Sequence, residues 1–167
     1  RFHREGVRNF LRYPNLNYFG SPVDFPIMGD CGAFSYVSHP RPVYTPGEMV
    51  SFYEDSGFTH GVSPDHIILD KNPLWDNHQK CHKDVVYRSN ITINNAIDFY
   101  AICKKRQVNF IPVGAIQWWS TNSAAKSARQ LVGVGYDYLG LGGMVGRPPR
   151  EIFDTIVAVR NAIPPEV

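Results

Sequence analysis

Asp30 and Cys31 stand directly after a short apolar run, "FPIM" (25–28), and directly before a Gly-Ala pair and an aromatic, in "GDCGAFSYV" (29–37). The layout recurs along the chain. Asp65 and His66 follow "THGVSP", Gln117 with Trp118 and Trp119 follows "IPVGAI", and Gly142-Gly143-Met144 follows "YLGL". Two carboxylates, one amide and an open backbone can read the edge of a purine-like base. Asp accepts hydrogen bonds from ring N–H and amino groups, Gln donates and accepts, and a Gly-Gly backbone offers N–H and C=O at close range. Phe34 or a nearby Tyr or Trp can stack on such a ring. Each group also has a plainer use. Asp30 can be a turn residue, Asp65 a helix cap or loop residue, and Gln117 a solvated strand end. "GLGGMVG" (140–146) can grip a phosphate, and Trp118-Trp119 can be ordinary packing.

The elements that must position these groups alternate. Strands are predicted over 24–30, 59–65, 108–117 and within 136–146, and helices over 45–57, 92–107, 121–135 and 148–163. The first helix carries its own punctuation: Thr45 as cap, Pro46 in the first turn, Glu48 completing a capping box and Gly57 ending it. The second should bury Ile93, Ala96, Ile97 and Tyr100. Lys104, Lys105 and Arg106 fall at its C-terminal end, where the dipole favours cations, and read as a solvated helix end more than as a nucleic-acid contact. The third should bury Ala124, Ala128 and Leu131, and the last Ile152, Phe153, Ile156 and Val157. The polar stretch 71–90 is too long for an idle connection. Strand–helix alternation repeated four times indicates parallel βαβ units in an α/β fold. Chemistry loaded on all four strand ends favours a (β/α)8 TIM-type barrel over an open doubly wound sheet, with only part of the barrel in this chain. Residues 1–167 are expected to form one barrel segment of a longer protein.

Bulk properties exclude other classes. A net charge of +2 produces no strong global field, so a nucleic-acid partner has to be argued from local groups. The sequence contains no run of eighteen apolar residues, so no membrane partner is expected. Cys31, Cys81 and Cys103 are odd in number and irregular in spacing, which argues against a disulfide framework and for a reducing, cytoplasmic setting. His78, Cys81 and His82 match no standard zinc finger and lack an evident fourth ligand, so no metal site is expected within this chain.

The strand-end motifs together resemble the tRNA-guanine transglycosylase superfamily. "MGDCGAFSYV" is similar to its Asp-Ser-Gly-Gly-Phe/Tyr-Gln motif, and "IQWW" with "GYDYLGLGGMVG" to its Gln-Gly, Gly-Phe-Asp-Gly-Tyr and Gly-Gly-Leu motifs. "DCGAF", "GVSPDH" and "GYDYLGLGG" resemble most the DNA-guanine transglycosylase branch, and the similarity runs over about residues 24–163. The resemblance implies a barrel enzyme that exchanges guanine in DNA for a 7-deazaguanine derivative through a covalent glycosyl-enzyme intermediate. It implies Asp30 as the group that contacts the base and handles protons, and Asp65 or Asp70 as the reader of the purine edge. It further implies Gln117 as the substrate-reading amide, and Gly143 and Met144 as the backbone pair at the base. The family's nucleophilic aspartate and Cys-rich zinc site are expected later in the protein, so this stretch alone should not turn over. Cys31 replaces the family's usual Ser, Ser35 stands where Gln is common, and Trp118 replaces the Gly after Gln, which puts the shape of the pocket floor in question. Two other readings stay open: a queuine- or archaeosine-type enzyme acting on tRNA, and a non-catalytic nucleic-acid-binding relative.

The chemistry fits the residue types. Breaking an N-glycosidic bond passes through an oxocarbenium-like transition state that a carboxylate nucleophile can capture, and the departing and entering bases both need proton transfer. In duplex DNA the target nucleotide must first leave the stack.

Overall fold

A computed structural model describes residues 26–77 and 79–167. Four strands, β1 (Met28–Gly29), β2 (His60–Val62), β3 (Ile111–Ile116) and β4 (Leu139–Leu141), form one sheet in the order β1-β2-β3-β4. Every pairing is parallel, with Met28 opposite His60, His60 opposite Ile111 and Gly114 opposite Leu139. The crossovers carry helices α1 (Pro46–Ser56), α2 (Lys83–Arg106) and α3 (Thr121–Val134), and α4 (Pro149–Arg160) follows β4. Each helix packs on the next along the chain. A strand order that never reverses, with consecutive helices in contact, is the βα succession of a singly wound parallel sheet.

Local chemistry sets the helix ends. Thr45 and Glu48 form the reciprocal capping box of α1, and Gly57 closes that helix at φ 75°. Ser120 and Ser123 cap α3 in the same reciprocal way, a box that uses Ser in place of the usual Glu.

The helix layer comes close to the strands because the strands carry glycine where it lands. The Tyr53 ring of α1 lies across Gly29 and Gly61, which face each other in the β1–β2 register. A Cβ on Gly61 would stand 2.9 Å from both Tyr53 Cε2 and Phe110 Cε2, with another Tyr53 ring carbon nearer still. Tyr53 is fully buried and its hydroxyl donates to the Val62 carbonyl at 2.9 Å. Around it Tyr36, Met49, Val50, Phe99, Cys103 and Phe110 make one core cluster. A second gathers Ala96, Ile116, Trp118, Ala124, Ala128, Leu131 and Tyr136 between α2, α3 and the strands.

Several expectations are corrected. Helix α2 starts at Lys83, not at 92, and its buried seam is Val85, Thr92, Ala96, Phe99 and Cys103. The spacing of that seam, 7, 4, 3 and 4 residues, keeps one stripe inward. Ile97, expected inside, is 41% exposed. Helix α4 buries Thr155 and Val159, while Phe153, Ile156 and Val157, expected inside, are exposed because α4 spends its contact on α3. The strands are shorter than the apolar runs: β2 stops at Val62, where Ser63 takes over the ladder by accepting the Ala115 N–H at 3.0 Å. Of the run 24–30, residues 24 and 25 lie outside the described residues, as does His78.

Gly61→Ala should therefore cost on the order of 1–3 kcal/mol through overpacking against Tyr53 and Phe110. Gly133→Ala, in α3 with nothing within 4 Å of the added carbon, should gain about 0.5–1 kcal/mol. Urea denaturation of the two variants beside the parent checks both signs.

Candidate functional site

The carboxyl group of Asp65 is the centre on which three strand ends meet. Past β2 the backbone turns inward, and Asp65 is 6% exposed. Its Oδ1 accepts a hydrogen bond from the Cys31 thiol at 2.9 Å, just beyond β1. Its Oδ2 accepts one from Gln117 Nε2 at 2.5 Å, just beyond β3. The Tyr36 hydroxyl donates to the Asp65 carbonyl at 3.1 Å and lies 3.4 Å from the Cys31 sulfur. Gln117, 2% exposed, is oriented from its other side, where Oε1 accepts the Ile68 N–H at 3.0 Å.

The turn after β4 closes on this pair. A Cβ on Gly142 would overlap the Gln117 amide nitrogen and come 3.3 Å from Asp65 Oδ2, so only glycine fits. Gly143 adopts φ +66°, and a Cβ there would meet Lys71 Nζ at 2.9 Å. The Gly142 carbonyl accepts the Trp118 ring N–H at 2.8 Å. Lys71 donates to the carbonyls of Ile68 and Trp118, each at 2.7 Å, with its ammonium 4.1 Å over the Trp118 ring.

Burial governs the electrostatics. It pushes the Asp65 carboxyl above the usual carboxylate range, against the lowering effect of the hydrogen bonds from Cys31 and Gln117. Burial and the neighbouring Asp65 charge push the Cys31 thiol up to about 12, so Cys31 serves as a donor and not as a thiolate. Burial and the Arg147 charge bring Lys71 down to about 7, with Glu151 and Asp70 opposing.

The structure thus brings Asp65, Gln117 and the Gly142–Gly143 turn into direct contact at one end of the sheet. Asp30 stands next to Cys31, exposed, on a cleft of about 430 Å³ lined also by Ser35, Tyr44, Glu48 and Phe52. Its charge reaches inward and raises Asp65 and Tyr36. Asp70 is exposed and outside the cluster, which separates it from Asp65. Phe34 is 66% exposed. The Met144 side chain packs against the second core cluster. Cys81 is half-buried and His82 meets the Trp75 ring edge to face; among the described residues no three of His, Cys, Asp or Glu gather as a metal site. The trio Lys104–Arg106 lies at the opposite end of the molecule, where Gln107 leads into the start of β3, and Arg106 bonds Ser51 and Glu54 of α1. Lys71 and Tyr36 carry weight that their sequence context does not signal: the bond from Lys71 to Trp118 spans 47 residues and that from Tyr36 to Asp65 spans 29.

The cluster of a buried carboxylate, an oriented amide and a turn that admits only glycine can bind a flat group carrying N–H donors. A carboxylate has about four lone-pair positions, of which Asp65 spends two on Cys31 and Gln117.

Cys31→Ser keeps a donor to Asp65 and should be nearly neutral. Cys31→Val should cost about 1–3 kcal/mol at pH 7, where the buried carboxylate loses a partner. The sign with pH follows from the raised carboxyl. A folded-state value above the unfolded one favours folding while the group is protonated, and that advantage is lost as pH rises through the folded value. Removing the donor harms only the charged form, so the Val penalty should shrink on acidification from pH 7 towards 4. Thermal denaturation of both variants across that range measures it.

No protein-family model matches the chain. A curated relative, a DNA-guanine transglycosylase of Salmonella montevideo, is 32% identical over 165 residues, which is 96% of this chain. The chain spans 36% of that relative's length. The match takes in all four strand ends and the cluster they build, and over this stretch the chain is similar to that DNA-guanine transglycosylase.

Proposed function

We propose that the cluster around Asp65 is the base-reading part of a guanine-exchange site, in an enzyme that replaces guanine in DNA with a 7-deazaguanine derivative by pentosyl transfer. The observation that carries this reading is the bond from Gln117 to Asp65 across the ends of adjacent parallel strands, against the Gly142–Gly143 turn. The carboxylate accepts from the ring N–H and amino group of the base. The Gln117 amide and the Gly143 backbone meet its remaining edge. Asp30, solvent-facing beside this edge, is the proton carrier.

The covalent steps divide between this chain and the part of the relative's length that it does not span. An aspartate from that part attacks the anomeric carbon. The bond to the guanine nitrogen breaks as the carboxylate–sugar ester forms, and Asp30 delivers the proton that guanine takes with it. The entering deazapurine then gives its ring N–H proton to Asp30, and its nitrogen displaces the aspartate, which leaves as the carboxylate. The zinc that the family resemblance implies has no ligand set among the described residues, and no step is drawn through it. The unreversed order β1-β2-β3-β4 supports an arc of a (β/α)8 barrel whose C-terminal face holds the site. No described helix is long and apolar enough to cross a membrane.

Asp30→Asn in the full-length protein preserves shape and removes the proton acceptor. It should fold normally and lose exchange by about 10²-fold or more. Incorporation of a radiolabelled 7-deazapurine into guanine-containing DNA and, in parallel, into tRNA measures the effect and identifies the polymer. Full activity of this variant on either polymer reduces Asp30 to a turn residue. Labelling of tRNA alone moves the enzyme to the tRNA branch, and labelling of neither by the parent protein leaves a binding protein.

A further inference from the structure

We propose that Lys71 is a positioning residue for base reading: its ammonium ties the carbonyls of Ile68 and Trp118 together and so holds the Gln117 amide with its nitrogen toward Asp65. This rests on the reading of the Asp65 cluster as a base site.

A glutamine amide fits a buried slot almost equally well either way round, and its partners decide which way it points. Here Gln117 Oε1 is matched to the Ile68 N–H, which leaves Nε2 for the carboxylate. The Ile68 peptide is thus the reference for the whole reading edge. It lies in the irregular stretch after β2, where no strand ladder fixes it. The peptide that carries this N–H is held at its Ile67 carbonyl by Arg88, and the next one is held at the Ile68 carbonyl by Lys71, whose same nitrogen also donates to the carbonyl of Trp118, the residue next to Gln117. The Trp118 ring lies beneath the cation and in turn donates to the Gly142 carbonyl. A Cβ at Gly143 would come 2.9 Å from the same Nζ, so the turn leaves room for the lysine only as glycine. One lysine nitrogen therefore bonds two of the segments that shape the reading edge and borders the third. Without it two carbonyls lose their shared donor, the tie between the Ile68 and Trp118 segments opens, and the amide can turn its oxygen toward Asp65. A carboxylate facing an amide oxygen is disfavoured, so Asp65 takes up a proton and gives up acceptor capacity on the side that reads the base.

The test is discrimination between bases, which a merely structural loss does not change. Guanine carries a 2-amino donor that hypoxanthine lacks. The full-length parent protein should bind radiolabelled guanine at least 10-fold more tightly than hypoxanthine, measured by competition. Lys71→Met should keep its circular dichroism spectrum, lose about 10-fold or more in guanine affinity and discriminate little between the two bases. Lys71→Arg, which keeps charged donors, should restore part of the preference, and Lys71→Gln serves in place of Met if that variant does not fold. Parental discrimination in Lys71→Met, or in Lys71→Gln in that case, overturns the proposal. Asp65→Asn and Gln117→Ala go through the same assay. If they too bind guanine as the parent does, the base site itself is misplaced and the proposal falls with it; if they lose guanine and the Lys71 variants do not, the role of Lys71 alone falls.

Discussion

The carboxyl group of Asp65 is withdrawn from water, and burial raises the cost of its charge. Much of the upper end of the molecule answers to that cost. A thiol that stays protonated supplies one donor, an amide fixed from behind supplies the other, and a tyrosine holds the backbone between them. Neutral donors stabilise the charge without cancelling it. A full ion pair would quench the acceptor strength of the carboxylate, whereas donation from –SH and –NH2 leaves it able to take further N–H groups. Cys31 in place of Ser is compatible with this arrangement, since either side chain donates one hydrogen bond and neither brings charge.

The sheet beneath keeps those donors in register. Cys31, Asp65 and Gln117 sit on separate loops, and their mutual distances are set by parallel pairing of β1, β2 and β3. That pairing depends on the helices lying close, and the closeness depends on strand positions without side chains. Gly29 and Gly61 receive the Tyr53 ring, and Gly114 receives Leu131 and Tyr136. Another anchor lies behind the site. Arg88 of α2 donates to the carbonyls of Val37 and Ile67, each at 3.0 Å, and contacts the buried His66 ring, so the loops after β1 and β2 are both tied to the second helix.

What could be read in advance divides along physical lines. Helix ends set by capping chemistry, such as Thr45 with Glu48 and Gly57, were legible because the determinants are local. The inward face of α3 was legible because Ala124, Ala128 and Leu131 recur at helical spacing in a short amphipathic element. The first two turns of α2 were not, since Lys83–Asn90 is polar and its single inward anchor, Val85, is held by the distant Ile68, Trp75 and Trp119. In α4 apolar residues occur on more than one face, and periodicity alone did not choose the face that meets α3. Asp65 and Gln117 stood out as polar residues ending apolar runs. Lys71 did not, because a lysine in "LDKN" looks like any solvated loop residue until Trp118, 47 positions later, is placed beneath it.

The strand order has a consequence for how such a chain acquires its structure. Among the described residues each strand pairs only with its neighbours in sequence, and each helix packs on the next, so the coupling is close to one-dimensional. Among the described residues, every strand–helix unit from β2 to α4 docks on a surface that the preceding unit has already formed. Assembly can then proceed in step with synthesis, from β1 towards α4. The Asp65 cluster, which draws on the ends of all four strands, is complete only after β4 has docked and placed the Gly142–Gly143 turn against Gln117.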